Sequence, residues 1–353
     1  MAATLFSPPT PTSPKTLVPK THPPSSSSLL FRSHRKTLAP IPPKPSFPLL
    51  RVSSSSSCDA APLTPPPRSL KSRLAAGETL YGLFLLSSSP TLAEIAGLAG
   101  YDYVVVDLEH GPGAVGDALP CLRALAAART PALVRLPEPS AAWAKKVLDL
   151  GPQGIMFPMV DSPRAAELAV SYCRFPPRGV RGSAHTVVRA SAYGLDDAYL
   201  ARCEDELLIA VQVESAPAVD AIESIAAVDG VDVVQIGPRD LSASMGYLWD
   251  PSNRKVRDAV KDAERRVFAV RKNNGGGGPY LGGFATPHDG AEQLKLRGYH
   301  MVVGPVDVGM FRSAALEDLR RFRSAVAEVP LRSAIGELDD SDDKPKDEEY
   351  WSE

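Results

Sequence analysis

The sequence predicts a (β/α)8 barrel, because strand-like and helix-like segments alternate eight times and several of the strand-like segments end in a charged residue. The alternation lies within residues 69–330, about the length that such a barrel requires. The strand-like segments are apolar on both faces, which is typical of parallel strands covered by helices. A doubly wound open sheet is the alternative fold, but the chain shows neither a reversal of strand order nor a Gly-rich first turn.

The predicted elements follow the chain in order. The predicted strands are short, mostly β-branched apolar runs at residues 80–86, 103–106, 132–135, 154–157, 207–213, 231–236, 280–284 and 301–304. The predicted helices cover residues 69–76, 90–99, 115–128, 141–148, 163–173, 217–226, 254–272, 287–297 and 308–326. Gly77 follows the first helix, as glycine often does at a helix C-terminus, and Ser89-Pro90 precedes the second.

One long polar segment, residues 174–206, interrupts this alternation. Loops longer than about 15 residues are uncommon in compact domains and are often functional. The segment contains Arg178-Gly-Val-Arg-Gly182. Its arginines and glycines either form a rim for an anionic substrate or belong to a solvated surface excursion.

Both ends of the chain differ in composition from the predicted barrel. Residues 1–58 contain seven Lys and Arg, no acidic residue and many Ser, Thr and Pro, which is typical of an organelle transit peptide. Abundant Ser and Pro favour the chloroplast over the mitochondrion, and a disordered cytosolic tail is the alternative. Residues 59–68 are predicted to be a linker. Residues 331–353 are predicted to be an acidic disordered tail without a chemical role.

Charge excludes one class of partner. The whole chain has a formal net charge of −2, and without residues 1–58 the remainder carries −9. Nucleic-acid binding requires clustered Lys and Arg, so no nucleic-acid partner is expected, and none of the chain is predicted to enter a membrane. The four cysteines, Cys58, Cys121, Cys173 and Cys203, have no C-x-x-C spacing and are expected to be reduced. Gly275–Gly278 is predicted to be a flexible connector.

Two carboxylates follow the fifth and sixth predicted strands, and they suggest a metal site. Glu214 and Asp240 are expected at the same face of the barrel, where the carboxyl ends of the strands converge. Two oxygen ligands suit Mg²⁺ or Mn²⁺, with the remaining positions left for waters and substrate oxygens. The alternative for either residue is a structural role, and Asp240 could be the N-cap of the following helix.

Other polar residues follow the second, third and fifth strands. His110 comes directly after Asp107 and Glu109, and an imidazole beside a carboxylate is a candidate general base. Arg135 ends the third strand, where a buried guanidinium needs an anion: Asp107, Asp149 or a substrate oxyanion. Gln212 alternates with Glu214 on one face of its strand and is expected to line the same pocket.

Six motifs together resemble the HpcH/HpaI aldolase family, in that family's order and approximate spacing. They are Val106-Asp-Leu-Glu-His-Gly-Pro112, Leu133-Val-Arg135, Phe157-Pro-Met-Val160, Arg178-Gly-Val-Arg-Gly182, Val211-Gln-Val-Glu214 and Ile236-Gly-Pro-Arg-Asp-Leu-Ser242 followed by Met245-Gly246. The resemblance implies a metal-dependent aldolase that cleaves a 4-hydroxy-2-keto acid or 2-keto-3-deoxy acid to pyruvate and an aldehyde. It also implies a homo-oligomer, usually a hexamer that exchanges the last helix between barrels.

The resemblance assigns a role to each candidate residue. Glu214 and Asp240 would bind the metal, and His110 would be the acid/base residue oriented by Asp107. Arg135 would hold the keto oxygen and the enolate. Substrate binding would further involve Gln212, the backbone amides around Arg239 and Asp240, and Asp149, which would lie near the site of a neighbouring subunit.

Two other functions fit the same fold. An acyl-CoA lyase of the citramalyl-CoA or malyl-CoA type would need a basic surface for the nucleotide, for which residues 174–206 are the candidate. A non-catalytic barrel would keep the same residues as a structural network. The first differs from an aldolase in its substrates, and the second in having no metal-dependent activity on pyruvate.

Overall fold

Eight parallel strands close into a barrel, and the predicted (β/α)8 fold is confirmed. The computed structural model describes residues 68–270 and 277–328, all of them in the second of two compact units, Pro62–Glu353. The strands pair in chain order, and the last pairs with the first. They are β1 Leu80–Leu85, β2 Tyr103–Asp107, β3 Ala132–Arg135, β4 Gly154–Phe157, β5 Leu208–Val213, β6 Val233–Ile236, β7 Tyr280–Phe284 and β8 Met301–Val306.

Helices surround the barrel, and short ones also follow several strands. They are α1 Leu70–Ala75, α2 Pro90–Leu98, α3 Val115–Ala127, α4 Ala141–Asp149, α5 Pro163–Cys173, α6 Tyr199–Glu206, α7 Ala216–Asp220, α8 Ile222–Ala226, α9 Pro238–Ser244, α10 Arg254–Ala269, α11 Ala291–Leu296 and α12 Asp307–Glu328, with a 3₁₀ segment at Arg189–Gly194.

Ser-Pro pairs start two of the helices. The side chains of Ser89 and Ser162 accept the backbone N–H groups of Leu92 and Ala165, and each serine is followed by proline. Serine satisfies an N–H that has no partner within the helix, and proline already has the φ angle of the first helical residue.

The core has two layers, because side chains of each strand alternate between the lumen and the helices. Val104 and Val106 of β2 pack outward into the larger cluster beneath the helices. Tyr103 and Val105 point inward, where they pack with Leu133 and other lumen residues. The lumen is filled by side chains and not by a channel, as in other barrels of eight strands.

Some predicted boundaries were wrong. The sixth strand ends at Ile236, as predicted, but Asp240 does not lie in a loop: because Pro238 can start a helix, α9 begins there and Asp240 lies in its first turn. The polar segment 174–206 contains α6, and the predicted helix 217–226 is divided into α7 and α8. The predicted leader 1–58, most of the linker 59–68, the tail 331–353 and the start of the Gly-rich connector lie outside the described residues.

The surface of α12 is unusually apolar. Phe311 and Phe322 are 75% and 68% exposed, and Leu316 on the same helix is 61% exposed. Exposed apolar patches commonly mark interaction surfaces. None of the helices within residues 68–270 and 277–328 combines the length and the hydropathy that crossing a bilayer requires. Cys121 and Cys173 are buried, and both are free thiols, as is Cys203.

Candidate active site

Four of the predicted site residues point into the barrel at the carboxyl ends of their strands. Asp107 continues the inward series of Tyr103 and Val105, and Arg135 continues that of Leu133. Gln212 of β5 and Glu214, which directly follows β5, continue the inward series of Leu208 and Ala210. All four side chains are buried. The two-residue period of the strands therefore brings together residues that lie far apart in the chain.

Arg135 is held in place by Asp107. Its Nε donates to Oδ1 of Asp107 at 2.8 Å, and its Nη2 donates to Oδ2 at 2.5 Å. The Phe84 ring lies 4.6 Å from the Arg135 Cζ, so that a cation–π contact supports the guanidinium from β1. Of the anions that the sequence allowed for Arg135, Asp107 is the one observed. A two-point contact fixes the guanidinium plane and leaves Nη1 directed elsewhere.

The third guanidinium nitrogen faces Glu109, which sequence reasoning did not place in the site. Arg135 Nη1 lies 2.8 Å from Glu109 Oε2 and donates to Gln212 Oε1 at 3.4 Å. The contact with Glu109 lacks hydrogen-bond geometry, and Oε2 is a buried oxygen without a hydrogen bond. Burial raises the pKa of Glu109, although the charges of Arg135 and His110 oppose the shift. The signal was present, since Glu109 is two residues beyond Asp107 and so on the same side.

Glu214 is a buried carboxylate held by hydrogen bonds from two neighbours. Its Oε1 accepts the backbone N–H of Met159 at 2.8 Å, and its Oε2 accepts Nε2 of Gln212 at 2.8 Å. Met159 has a φ of 48°, an unusual value for a residue other than glycine, and this conformation belongs to the segment that supplies the N–H. A Cβ on Gly237 would lie 2.5 Å from Glu214 Oε2, so a larger residue there would displace the Glu214 side chain.

The electrostatics of Glu214 follow from this burial. Burial raises the pKa of Glu214 to about 7, the N–H of Met159 opposes the shift, and the negative charges of Glu109 and Asp240 add to it. The three carboxylates are therefore close enough to influence one another. Arg135 is the cation of this group whose charge lowers the pKa of Glu214.

Asp240 and Arg239 lie at the rim, in the first turn of α9. Both are exposed, whereas Glu214 is 2% exposed. The N-cap of α9 is Gly237, so the alternative that Asp240 is an N-cap was wrong. The Arg239 guanidinium carbon lies 5.4 Å from the Trp249 ring and 5.5 Å from the Phe284 ring.

His110 lies at the mouth, and its imidazole is not held by Asp107. The backbone N–H of His110 donates to Asp107 Oδ1 at 3.5 Å, but both oxygens of Asp107 are occupied by Arg135. The carboxylate near the imidazole is Glu109, whose Oε1 lies 4.0 Å from Nε2 of His110. The His110 side chain is 58% exposed, so it is accessible to solvent and substrate. The expectation that Asp107 orients this imidazole is therefore wrong. Asp107 instead accepts two charge-assisted hydrogen bonds from Arg135.

Asp149 is not part of the constellation in this chain. It ends α4, and its Oδ1 lies 3.7 Å from Nη2 of Arg181, a buried side chain of the long segment. Arg181 also donates to the Tyr199 hydroxyl at 2.9 Å, and Arg178 forms an ion pair with Glu204. Arg178 and Arg181 are therefore engaged with Glu204, Asp149 and Tyr199 and do not form a free cationic rim.

The carboxylates fit a divalent cation. Glu214 and Asp240 bring two oxygen-donor groups to one mouth, and the buried Oε2 of Glu109 lacks a hydrogen bond there. Asp107, Glu109, Asp240 and Glu214 outnumber the two guanidinium groups of the site, Arg135 and Arg239, and hard cations such as Mg²⁺ prefer such oxygen ligands. Within the described ranges, no group of three or more His, Cys, Asp or Glu residues has metal-binding geometry. A site with two protein ligands, as predicted, does not require such a group.

Comparison with known proteins identifies a family. The model of the HpcH/HpaI aldolase/citrate lyase family matches residues 80–314. The 2-keto-3-deoxy-L-rhamnonate aldolase of Escherichia coli strain K12 is 37% identical over 254 residues, which are 72% of this chain and 92% of that enzyme.

Solved structures agree with this match. An HpcH/HpaI aldolase/citrate lyase family protein from Burkholderia cenocepacia J2315 is 37% identical, with a TM-score of 0.67 over 72% of this chain and 98% of that one. The citrate synthase SbnG is 27% identical, with a TM-score of 0.64 over 74% of this chain and 99% of that one. The matched region contains every candidate site residue.

Proposed function

The chain belongs to the HpcH/HpaI aldolase/citrate lyase family and is an enzyme of the aldolase/lyase class; from that premise we propose that it is a divalent-metal-dependent aldolase. Its reaction would cleave a 4-hydroxy-2-keto acid or 2-keto-3-deoxy acid to pyruvate and an aldehyde. The observation that carries this proposal is the buried Arg135, fixed by Asp107 beside the carboxylates of Glu109 and Glu214. The similarity to an aldolase that acts on 2-keto-3-deoxy-L-rhamnonate supports the substrate class.

Glu214 and Asp240 would hold the metal. When bound, a divalent cation would polarise the 2-keto carbonyl and stabilise negative charge on its oxygen. Glu214 would supply a buried, oriented oxygen, and Asp240 would supply one from the rim. Mg²⁺ and Mn²⁺ both suit carboxylate ligands.

Arg135 would stabilise the enolate that forms when the carbon–carbon bond breaks. Burial alone would lower the pKa of Arg135, but its hydrogen bonds and charge contacts with Asp107, together with the charges of Glu109 and Glu214, raise it instead. The guanidinium therefore stays cationic throughout the reaction. Because Asp107 has already oriented it, no reorganisation is needed as negative charge develops.

The remaining residues would bind and move protons. His110, exposed at the mouth and near Glu109, would accept the proton of the 4-hydroxyl group and return a proton to the enolate carbon. The backbone N–H groups of Arg239 and Asp240 lie in the first turn of α9, where N–H groups have no partner within the helix, and they would receive the pyruvate carboxylate. Gln212 would orient Glu214, to which it donates.

Replacing the proposed metal ligands tests this function. We expect Glu214→Ala and Asp240→Ala each to abolish the release of pyruvate from 2-keto-3-deoxy-L-rhamnonate in the presence of Mg²⁺ or Mn²⁺, measured with a coupled pyruvate assay. Glu167→Ala, which removes an exposed carboxylate on α5, is the matched control and should retain activity. Turnover that persists after chelation, or in both ligand variants, would exclude the metal-dependent mechanism.

The two other functions make different predictions. An acyl-CoA lyase would cleave citramalyl-CoA or malyl-CoA in preference to the free keto acids, but the arginines expected to bind its nucleotide are engaged with Glu204, Asp149 and Tyr199. A non-catalytic barrel would cleave neither substrate. Assaying free acids and acyl-CoA substrates side by side distinguishes the three.

The proposed function includes an oligomeric state and a location in the cell. We propose a homo-oligomer, for which the exposed apolar side chains of α12 provide a surface, with small-molecule keto acids and aldehydes as the ligands. We also propose that residues 1–58 direct the chain to the chloroplast. Fusing these residues to a fluorescent protein in plant cells tests this, and a fluorescence signal that stays in the cytosol would contradict it.

A further inference from the structure

A cavity of about 330 Å³ lies beside the barrel, between α10 and α11, and contains none of the residues assigned to the aldolase reaction. We call it the α10–α11 cavity. It opens near the carboxyl ends of β6 and β7, and its lining includes Arg257, Lys261, Glu264, Asp289, Arg297 and Tyr299. Its volume is within the range of small-molecule sites.

One side of the cavity is a network of ion pairs and hydrogen bonds. Glu264 is 6% exposed, and its Oε1 accepts the Tyr299 hydroxyl at 2.7 Å and Arg297 Nη2 at 3.2 Å. Arg297 also donates to both oxygens of Asp289, at 2.7 and 2.6 Å. A Cβ on Gly283 would lie 2.4 Å from the Tyr299 ring, so the glycine leaves room for this ring in the wall. These side chains are pre-ordered and need no ligand to satisfy them.

The other side carries cations without acidic partners. Arg257 and Lys261 lie four residues apart in α10, so they share one face of the helix, and both line the cavity. Among the described residues neither has a carboxylate within ion-pair distance, whereas Arg254 and Arg265 of the same helix pair with Asp258 and Asp262. With Arg297, the lining has three cationic side chains against the two carboxylates of Glu264 and Asp289.

We propose that the α10–α11 cavity binds a small phosphate monoester. Two unpaired cations one turn apart match the double negative charge of a phosphate group, and an arginine can contact two of its oxygens. Ile236, Val260 and Leu294 provide an apolar wall for the organic part of such a ligand. The cavity therefore fits an ester better than it fits inorganic phosphate alone.

The bound ester would also contact elements that shape the active site. Pro238, which lines the cavity, begins the helix that carries Asp240. Phe284, also in the lining, lies 5.8 Å from the Phe84 ring, and Phe84 in turn supports Arg135. The α10–α11 cavity is thus separate from the catalytic residues but adjoins α9 and the Phe84–Phe284 pair, which hold those residues. This is where an effector site would lie.

Equilibrium binding tests this inference without reference to catalysis. Titrating the full-length chain with glycerol 3-phosphate in a calorimeter should show saturable binding at constant ionic strength, at least tenfold tighter than inorganic phosphate. The double variant Arg257→Gln/Lys261→Gln should weaken this binding at least tenfold. The matched control, Arg254→Gln/Arg265→Gln, removes the same charge from paired positions of the same helix and should bind as the wild type does.

Three results would overturn the inference. They are no saturable binding to the wild type, equal weakening in both double variants, and loss of binding in the presence of saturating pyruvate and Mg²⁺, which would place the ester in the catalytic site. Because binding alone is measured, the result does not depend on whether the aldolase proposal is correct.

Discussion

Gly237→Ala tests the packing that holds Glu214. The new Cβ would lie 2.5 Å from Oε2 and 2.8 Å from Cβ of Glu214, whereas carbon atoms in contact are normally about 3.5–4.0 Å apart. The φ of Gly237 is −103°, which alanine adopts readily, so the effect comes from side-chain overlap alone. Overpacking of this kind costs about 1–3 kcal/mol of unfolding free energy. At about 2–4 °C per kcal/mol for a domain of this size, Tm should fall by about 2–12 °C.

The variant should lose activity even under conditions where it stays folded, because displacing Glu214 breaks its contacts with Met159 and Gln212. We expect pyruvate release to fall at least tenfold, measured beside urea unfolding of the same samples. Gly116→Ala in α3 is the control, since its Cβ would meet nothing within 4 Å, and alanine there should be neutral or stabilising by up to about 1 kcal/mol. If Gly237→Ala were as stable and as active as Gly116→Ala, the described arrangement around Glu214 would be refuted.

Three further predictions concern other parts of the structure. Asp307→Ala removes the carboxylate that accepts the N–H groups of Leu86 and Ser87 at 2.9 and 3.0 Å, so urea unfolding should show a loss of about 2–3 kcal/mol; a loss below 0.5 kcal/mol would contradict this. Because the pKa of Glu214 is raised from 4.5 to about 7, its contribution to the stability of the metal-free protein is present below pH 4.5 and is lost as the pH rises through 7. The difference in unfolding free energy between wild type and Glu214→Gln should therefore change by up to about 3 kcal/mol between pH 4.5 and 8, and a constant difference would show that the pKa is not raised. Finally, Phe311→Ser should lower the mass measured by light scattering after size exclusion if α12 is an oligomer interface, and an unchanged mass would exclude Phe311 from that interface.

The sequence predicted most of the fold and the inward-facing residues of the site, such as Asp107, Arg135 and Glu214, for the same physical reason. Buried parallel strands leave a strong signal, and their two-residue period directs Asp107, Arg135 and Glu214 to one lumen. Residues beyond the strand ends are less predictable. Glu109 lies in the turn after β2, where the alternation of the strand is not guaranteed; it does continue there and brings Glu109 to Arg135, although this pair was not predicted from the sequence.

Tertiary contacts decided the rest. The partner of His110 was wrong because a guanidinium with two-point geometry competes for Asp107, and nothing local to His110 shows this competition. The positive φ of Met159 leaves no sequence signal, since it is a conformation imposed by its surroundings. The start of α9, in contrast, does have a local sequence signal. Gly237-Pro238 is typical of a helix start and could have placed Asp240 in the first turn of a helix.

Deuterium exchange into pyruvate tests the central claim most directly, because it needs no knowledge of the aldehyde. The account predicts that the protein with Mg²⁺ or Mn²⁺ removes the pyruvate methyl signal from the proton NMR spectrum in D₂O, and that chelation or Asp240→Ala stops this loss. Exchange that continues at the same rate after chelation, or a methyl signal that the metal-loaded wild type leaves unchanged, would contradict it.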